Sequence, residues 1–427
     1  MRRRPAALAV AAVLVGGLAA CGAESGAPSL TWYINPDDGG QAEIASRCTE
    51  QADGAYTIST ELLPLEAADQ REQLSRRLAA NDDSIDLMSL DPIYIPEFAE
   101  ADWLAPVPDD VGEAVTSDVV QGALDFSTWR DELVVAPFWA NTQLLWYRES
   151  VAEEAGLDPA NEPVTWDQLI TVAEEQDKVL SLHGVRAEAY TVWINALVMS
   201  AGGEVLANPE ADAEDLQIDL ENDAGRAAAE IISTIASEGL GGPGLPNQDE
   251  EAAMLQFRGD DGSFMVNWPF VYAATVAGVE DGSIDQAVLD DIAWAAYPQV
   301  GDQDSRPPLG GIGLGVGANS QHVEEAYDAV ECIVTPENQA YYFVSNGNPP
   351  ASSAAYDDPE VQDTFPMADV IEQSLENAGS RPQSPFYNEV STGLQNTWHP
   401  PTQVDPQATP SEAEEFITAV LRGERLL

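Results

Sequence analysis

Side chains able to grip a small molecule recur in this 427-residue sequence where strands and helices begin or end. Glu250 and Glu251 open the run Glu250-Glu251-Ala252-Ala253-Met254-Leu255-Gln256-Phe257. On a helix, Glu250, Met254 and Phe257 share one face at i, i+4 and i+7, so Glu250 turns with the apolar side and Glu251 away from it. Ser263 to Pro269 reads as a buried strand ending in Trp268-Pro269. Asn35 starts the polar run Asn35-Pro36-Asp37-Asp38-Gly39-Gly40, and Asp91-Pro92 closes another apolar stretch. Gly311, Gly313, Gly315 and Gly317 fall on one face of a strand, with Ile312, Leu314 and Val316 on the other. A face of bare backbone admits a ligand or a neighbouring element. Each feature has a plain alternative. The polar runs follow from turn chemistry, either glutamate complements a helix dipole, and a tryptophan at a strand end is commonly core.

Several other chemistries are excluded. His183, His322 and His399 are scattered and no Cys-x-x-Cys or His-x-x-x-His spacing occurs, so no metal or other cofactor is expected. The glycine run lacks both Gly-x-Gly-x-x-Gly and Gly-Lys-Ser/Thr, which argues against a nucleotide. The acidic stretch between Ala207 and Asp223 lacks the order of a calcium loop and reads as a solvated loop. Asp and Glu number 74 against 17 Lys and Arg, a formal charge of -57. Nucleic acid is excluded as a partner, because it needs clustered cations. Self-repulsion on such a surface keeps a protein soluble and is screened in concentrated salt.

The N-terminus reads as an export signal. Arg2, Arg3 and Arg4 precede the apolar run Ala6 to Ala20, too short to span a bilayer. It closes in Leu18-Ala19-Ala20-Cys21, the pattern of a bacterial lipobox in which Cys21 is acylated and becomes the first residue. The expectation is a signal peptide over 1–20, a tether over 21–29, and a body held at the outer face of the cytoplasmic membrane by lipid alone. Cys48 and Cys332 then remain, and in an oxidising compartment two spare cysteines pair.

These residues need elements to position them. The spacing predicts strands at Leu30–Ile34, Tyr56–Leu63 and Ile85–Leu90, alternating with helices at Gln41–Gln51 and Asp69–Ala80. That is a βαβαβ start, which favours a parallel sheet with ligand contacts at the carboxyl ends of its strands. Leu133 to Arg148 is an apolar run broken by Pro137 and Asn141, which suits a crossing between two lobes. Helix-compatible spacing at Trp166–Asp177, Trp193–Ser200 and Gly225–Ser237 makes the second lobe helix-rich. The length itself implies more than one domain of the usual ~100–200 residues.

The lipobox, Asp91, Ala136-Pro137-Phe138-Trp139-Ala140-Asn141, Val266-Asn267-Trp268-Pro269, Leu309 to Val316 and Arg381-Pro382-Gln383-Ser384-Pro385-Phe386-Tyr387 occur in this order. Together they resemble the extracellular solute-binding lipoproteins of carbohydrate ABC importers, most of all the actinobacterial trehalose-binding ones. The resemblance implies an α/β, two-lobed, periplasmic-binding-protein-like fold with a ligand cleft between the lobes. It places lobe 1 at 30–140 and 298–350, lobe 2 at 141–297 and 351–427, and crossings near Ala140, Tyr297-Pro298 and Gly347 to Ala351. Cys48 and Cys332 then lie in one lobe, leaving the hinge free.

The resemblance also implies a disaccharide ligand, with trehalose favoured and maltose the alternative, and permease subunits as partners of a monomer. Sugar hydroxyls both donate and accept, so carboxylates and amides suit them, and an aromatic ring suits their C–H faces. The implied polar contacts are Asp91, Asn141, Glu250 and Arg381, with Trp268 as platform and Gly311 as backbone donor. Asn35 joins them more weakly, Glu251 rivals Glu250, and Trp32, Trp139, Tyr147 and Trp398 are further candidates for the lining. A secreted glycosidase would also need paired carboxylates, but no acid and nucleophile pair stands in a recognisable context and no Gly-x-Ser-x-Gly elbow occurs. A purely structural lipoprotein leaves the polar strand ends unexplained.

Overall fold

Two separate sheets organise the chain, in a computed structural model that describes residues 26–65 and 67–427. The expected signal peptide, Cys21 and the first part of the expected tether lie outside the described residues.

The larger sheet begins as the alternating pattern predicts. Strand Ser29–Ile34 lies between Thr57–Leu62 and Leu87–Leu90 and is parallel to both. Helices Gly40–Gln51 and Ala67–Leu78 make the connections. The sheet is mixed, however, where a parallel one was expected. The glycine strand Pro308–Val316 runs antiparallel to Leu87–Leu90, and Ala136–Thr142 runs antiparallel to the glycine strand. Gly379–Ser380 adds a short parallel partner at its start. Alternation decides the faces. Leu30, Trp32 and Ile34 point into a core with Ile44, Tyr327 and Val330, whereas Tyr33 joins Leu74 and Leu78 on the other side.

The smaller sheet has the order Ile292–Ala295, Leu144–Arg148, Gly262–Asn267, Val179–Ser181. A single residue, Gln143, separates the strand 136–142 of one sheet from the strand 144–148 of the other. The core beside the smaller sheet is built by helices. Trp166, Tyr190, Trp193, Ile232 and Trp398 are buried there together. Terminal helices Tyr387–Trp398 and Thr409–Leu421 pack on Glu188–Ser200 and Asp223–Ser237.

The helices between 353 and 375 pack against Pro336–Asn346, Gln121–Ser127 and Ala136–Thr142, on the side of the larger sheet. Cys48 and Cys332 form a disulfide with their Cα atoms 5.8 Å apart, across 284 residues of sequence. It ties helix Gly40–Gln51 to helix Val323–Ile333, both on one face of the larger sheet.

Candidate functional site

A cleft of about 410 Å3 opens where the ends of the two sheets meet. That volume lies within the roughly 300–1,000 Å3 usual for small-molecule sites. Asn35, Asp91, Asn141, Glu250, Trp268, Gly311 and Arg381 all line it, together with Trp139 and Glu188. Residues separated by up to 346 positions thus share one surface, and each has a local reason for its place.

Asn35 follows the end of strand Ser29–Ile34. Its backbone carbonyl accepts from Gln41 Nε2 at 2.9 Å and its Nδ2 donates to Gln70 Oε1 at 2.8 Å, while its Oδ1 is buried with no partner among the described residues. Beneath this loop the Trp32 indole donates to Ser89 Oγ at 3.0 Å and Ser89 donates to Gln41 Oε1 at 3.2 Å. That buried chain fixes Gln41 and, through it, the turn carrying Asn35.

Asp91 ends the neighbouring strand and caps the turn that follows, its Oδ1 accepting from Ile93 N at 3.1 Å. The same oxygen accepts from Arg381 Nη2 at 3.0 Å, and Arg381 Nη1 donates to Glu188 Oε1 at 2.8 Å. Only 5% of Arg381 is exposed. Burial works against the charge on the guanidinium, but the neighbouring carboxylates of Asp91 and Glu188 outweigh it and hold it firmly charged. Its Nε has no partner among the described residues.

Asn267 explains why Trp268 and Glu250 occur together. Fully buried at its strand end, it donates from Nδ2 to the Glu250 carbonyl and accepts at Oδ1 from Trp268 N, both at 2.9 Å. One side chain therefore sets the first turn of helix Glu250–Phe257 against the tryptophan backbone. The Trp268 ring lies against Gly310, where an added Cβ would sit 3.2 Å from Cη2. Gly311, at φ +139°, passes so close to the Trp139 carbonyl that a Cβ would lie 2.4 Å from its oxygen. Only glycine suits that conformation and that approach. Gly313, Gly315 and Gly317 serve protein neighbours instead, since a Cβ on each would meet Val135, Leu104 or Ile85. Asn141 Oδ1 accepts from Thr142 N at 2.9 Å, and Trp139 Nε1 is buried without a partner among the described residues.

Four candidates lie elsewhere. Glu251 is exposed and outside the cleft, because the helical turn that aims Glu250 inward sends its neighbour to solvent. Trp32 and Trp398 are fully buried, Trp32 within the larger sheet's core and Trp398 in the helical core. Tyr147 points into that helical core as well, since strand alternation turns it from the cleft. Glu188, in contrast, escaped the sequence reading. It opens helix Glu188–Ser200, where an acid is ordinary dipole complement, and only the distant Arg381 distinguishes it.

Comparison with known proteins gives one agreement in family and several in fold. Residues 57–340, well over half of the chain, match the family described as bacterial extracellular solute-binding protein. A probable ABC transporter-binding protein of Deinococcus radiodurans is 24% identical over 404 residues, 89% of this chain and 90% of that one. The maltose-bound MalE3 of T. maritima has a TM-score of 0.75 at 22% identity, with 93% of this chain and 100% of that chain covered. A cyclic alpha-maltosyl-1,6-maltose binding protein of Arthrobacter globiformis reaches 0.74 at 21% identity, covering 93% and 100%. These likenesses establish the expected two-lobed α/β binding-protein fold.

Proposed function

The chain belongs to the bacterial extracellular solute-binding proteins, and on that premise we propose that it captures a disaccharide and passes it to an ABC importer. It is an exported binding protein and not an enzyme. The observation that carries the sugar reading is the chemistry gathered in one cleft: acceptors at Asp91 and Glu250, amides at Asn35 and Asn141, the buried guanidinium of Arg381 and the ring of Trp268. Three polar atoms of the lining, Asn35 Oδ1, Trp139 Nε1 and Arg381 Nε, are bonded to no described residue. A ligand rich in hydroxyls satisfies acceptors and donors alike, and a buried polar atom left without a partner is costly.

Trehalose is the favoured sugar, from the order of motifs. Maltose is the second reading, supported by the maltose bound in the MalE3 likeness. Calorimetric titration against trehalose, maltose and longer maltodextrins tests both. Saturable heat without turnover is expected. A disaccharide other than trehalose binding at least about tenfold tighter, roughly 1.4 kcal/mol, displaces trehalose, and no binding of any sugar overturns the reading.

In this reading lobe 1 is the larger sheet with its helices and lobe 2 the smaller sheet with its helices. The crossings are Gln143, the segment 296–307, and the segment 381–386. The third lies later than the Gly347 to Ala351 expected from the resemblance, since the helices over 353–375 pack beside the larger sheet. Ligand then bridges Asp91 in one lobe and Glu250 and Trp268 in the other, and closure presents a distinct shape to the permease. Cys21 carries the lipid anchor. Among the described residues no helix is long and apolar enough to cross a membrane, so Cys21→Ala is expected to leave the membrane fraction, and a variant that still sediments after a salt wash removes the anchor from the proposal.

A further inference from the structure

We propose that Glu188 is a positioning residue, holding the Arg381 guanidinium in register for the ligand without itself being the main sugar contact. The inference rests on the cleft being the ligand site. Glu188 is nearly saturated by the protein. Oε1 accepts from Arg381 Nη1 at 2.8 Å and from the Tyr387 hydroxyl, and Oε2 accepts from Ser391 Oγ at 2.8 Å. A carboxylate offers about four acceptor positions, and three are occupied by protein donors. Asp91 differs, because its Oδ1 takes both Ile93 N and Arg381 while its Oδ2 makes no hydrogen bond among the described residues.

The geometry turns this saturation into orientation. A guanidinium is a rigid planar fork. With Nη1 held by Glu188 and Nη2 by Asp91, the plane is defined and the unpartnered Nε keeps one direction. Glu188 is itself fixed at the start of helix Glu188–Ser200, where the dipole favours its charge, and by two donors of helix Tyr387–Trp398. Burial and the Glu188 carboxylate push the Tyr387 hydroxyl well above its ordinary range, so it remains a donor at neutral pH. Without Glu188 the guanidinium keeps a single carboxylate and can turn about the Asp91 contact.

A double-mutant cycle read by calorimetry tests this, using trehalose and maltose with wild type, Glu188→Gln, Arg381→Ala and the double variant. Glu188→Gln is expected to weaken binding on the order of tenfold, yet to add no more than about twofold once Arg381→Ala is present. Glu188→Asp, which keeps the charge one carbon shorter, should fall between wild type and Glu188→Gln. Losses that multiply would mean that Glu188 touches the sugar independently and would overturn the role, as would Glu188→Gln binding like wild type. Ser391→Ala removes a donor from the carboxylate at a residue that does not line the cleft, so it keeps the idea testable if Glu188→Gln does not fold. It should weaken binding by a few-fold, and an unchanged affinity counts against the role. Arg381→Ala binding as wild type sinks the reading of the cleft, a failure distinct from that of Glu188.

Discussion

At the scale of the residue, the division of labour around Trp268 is the clearest case of sequence order becoming chemistry. Asn267 is spent on the backbone of Glu250 and Trp268, Pro269 leads directly into the following helix, and the ring between them is left to the cleft. Trp268→Ala is expected to cost about 2–4 kcal/mol of sugar binding through lost ring contact. Its melting temperature should stay near wild type, because the ring is a cleft wall and not core. Glu251→Ala is the internal comparison. Its side chain is exposed and off the cleft, so titration should return wild-type affinity. A large loss there, or none for Trp268→Ala, contradicts the assignment.

The glycine strand Pro308–Val316 shows how an element builds a site that no single residue explains. It pairs with Ala136–Thr142 and Leu87–Leu90 at once, so it brings Asn141 and Asp91 to one opening. The backbone can pass this closely only because side chains are missing. Gly311→Ala places a Cβ against the Trp139 carbonyl at φ +139° and is expected to cost about 1–3 kcal/mol of stability. It should also weaken sugar binding, because Trp139 and Ala140 must shift. Denaturant unfolding and titration of the same variant check both, and an unaltered midpoint would mean that the strand relaxes freely. Helix Gly40–Gln51 is held differently, by the disulfide to Val323–Ile333. Reduction under native conditions is expected to remove about 2–5 kcal/mol of stability with sugar affinity unchanged, as neither cysteine lines the cleft. A parallel loss of affinity would show that the staple shapes the site.

For the whole molecule, a formal charge of -57 sets the conditions under which the fold is most stable. Screening shortens from about 10 Å at 0.1 M salt to about 3 Å at 1 M, which relieves repulsion among surface carboxylates. The melting temperature is therefore expected to rise from 0.1 to 1 M sodium chloride, followed by circular dichroism. The buried Arg381–Asp91 pair should respond little, since one partner is almost wholly shielded from solvent. A flat or falling melting temperature would show that repulsion among surface carboxylates does not limit stability, and that loss of attraction in ion pairs such as Arg71–Glu97 and Arg148–Asp291 offsets its relief.

Local spacing determined what local spacing can. The helical repeat distinguished the two faces at Glu250 and Glu251, strand alternation exposed the bare side of residues 311–317, and the turn-forming runs marked strand ends at Asn35 and Asp91. With Cys21 read as the lipobox cysteine, Cys48 and Cys332 were the two left to pair, and expecting their disulfide needed no geometry. Tertiary structure decided the rest, because it depends on which distant segments meet. The direction of the glycine strand, antiparallel to Leu87–Leu90, is set by pairing across more than 200 residues. Whether an aromatic lines a cleft or a core follows from what covers each face of its element, and helices packed on the sheets buried Trp32, Tyr147 and Trp398 inside. Glu188 had no local mark at all: an acid in a helix's first turn is ordinary until Arg381, 193 residues away, is folded against it.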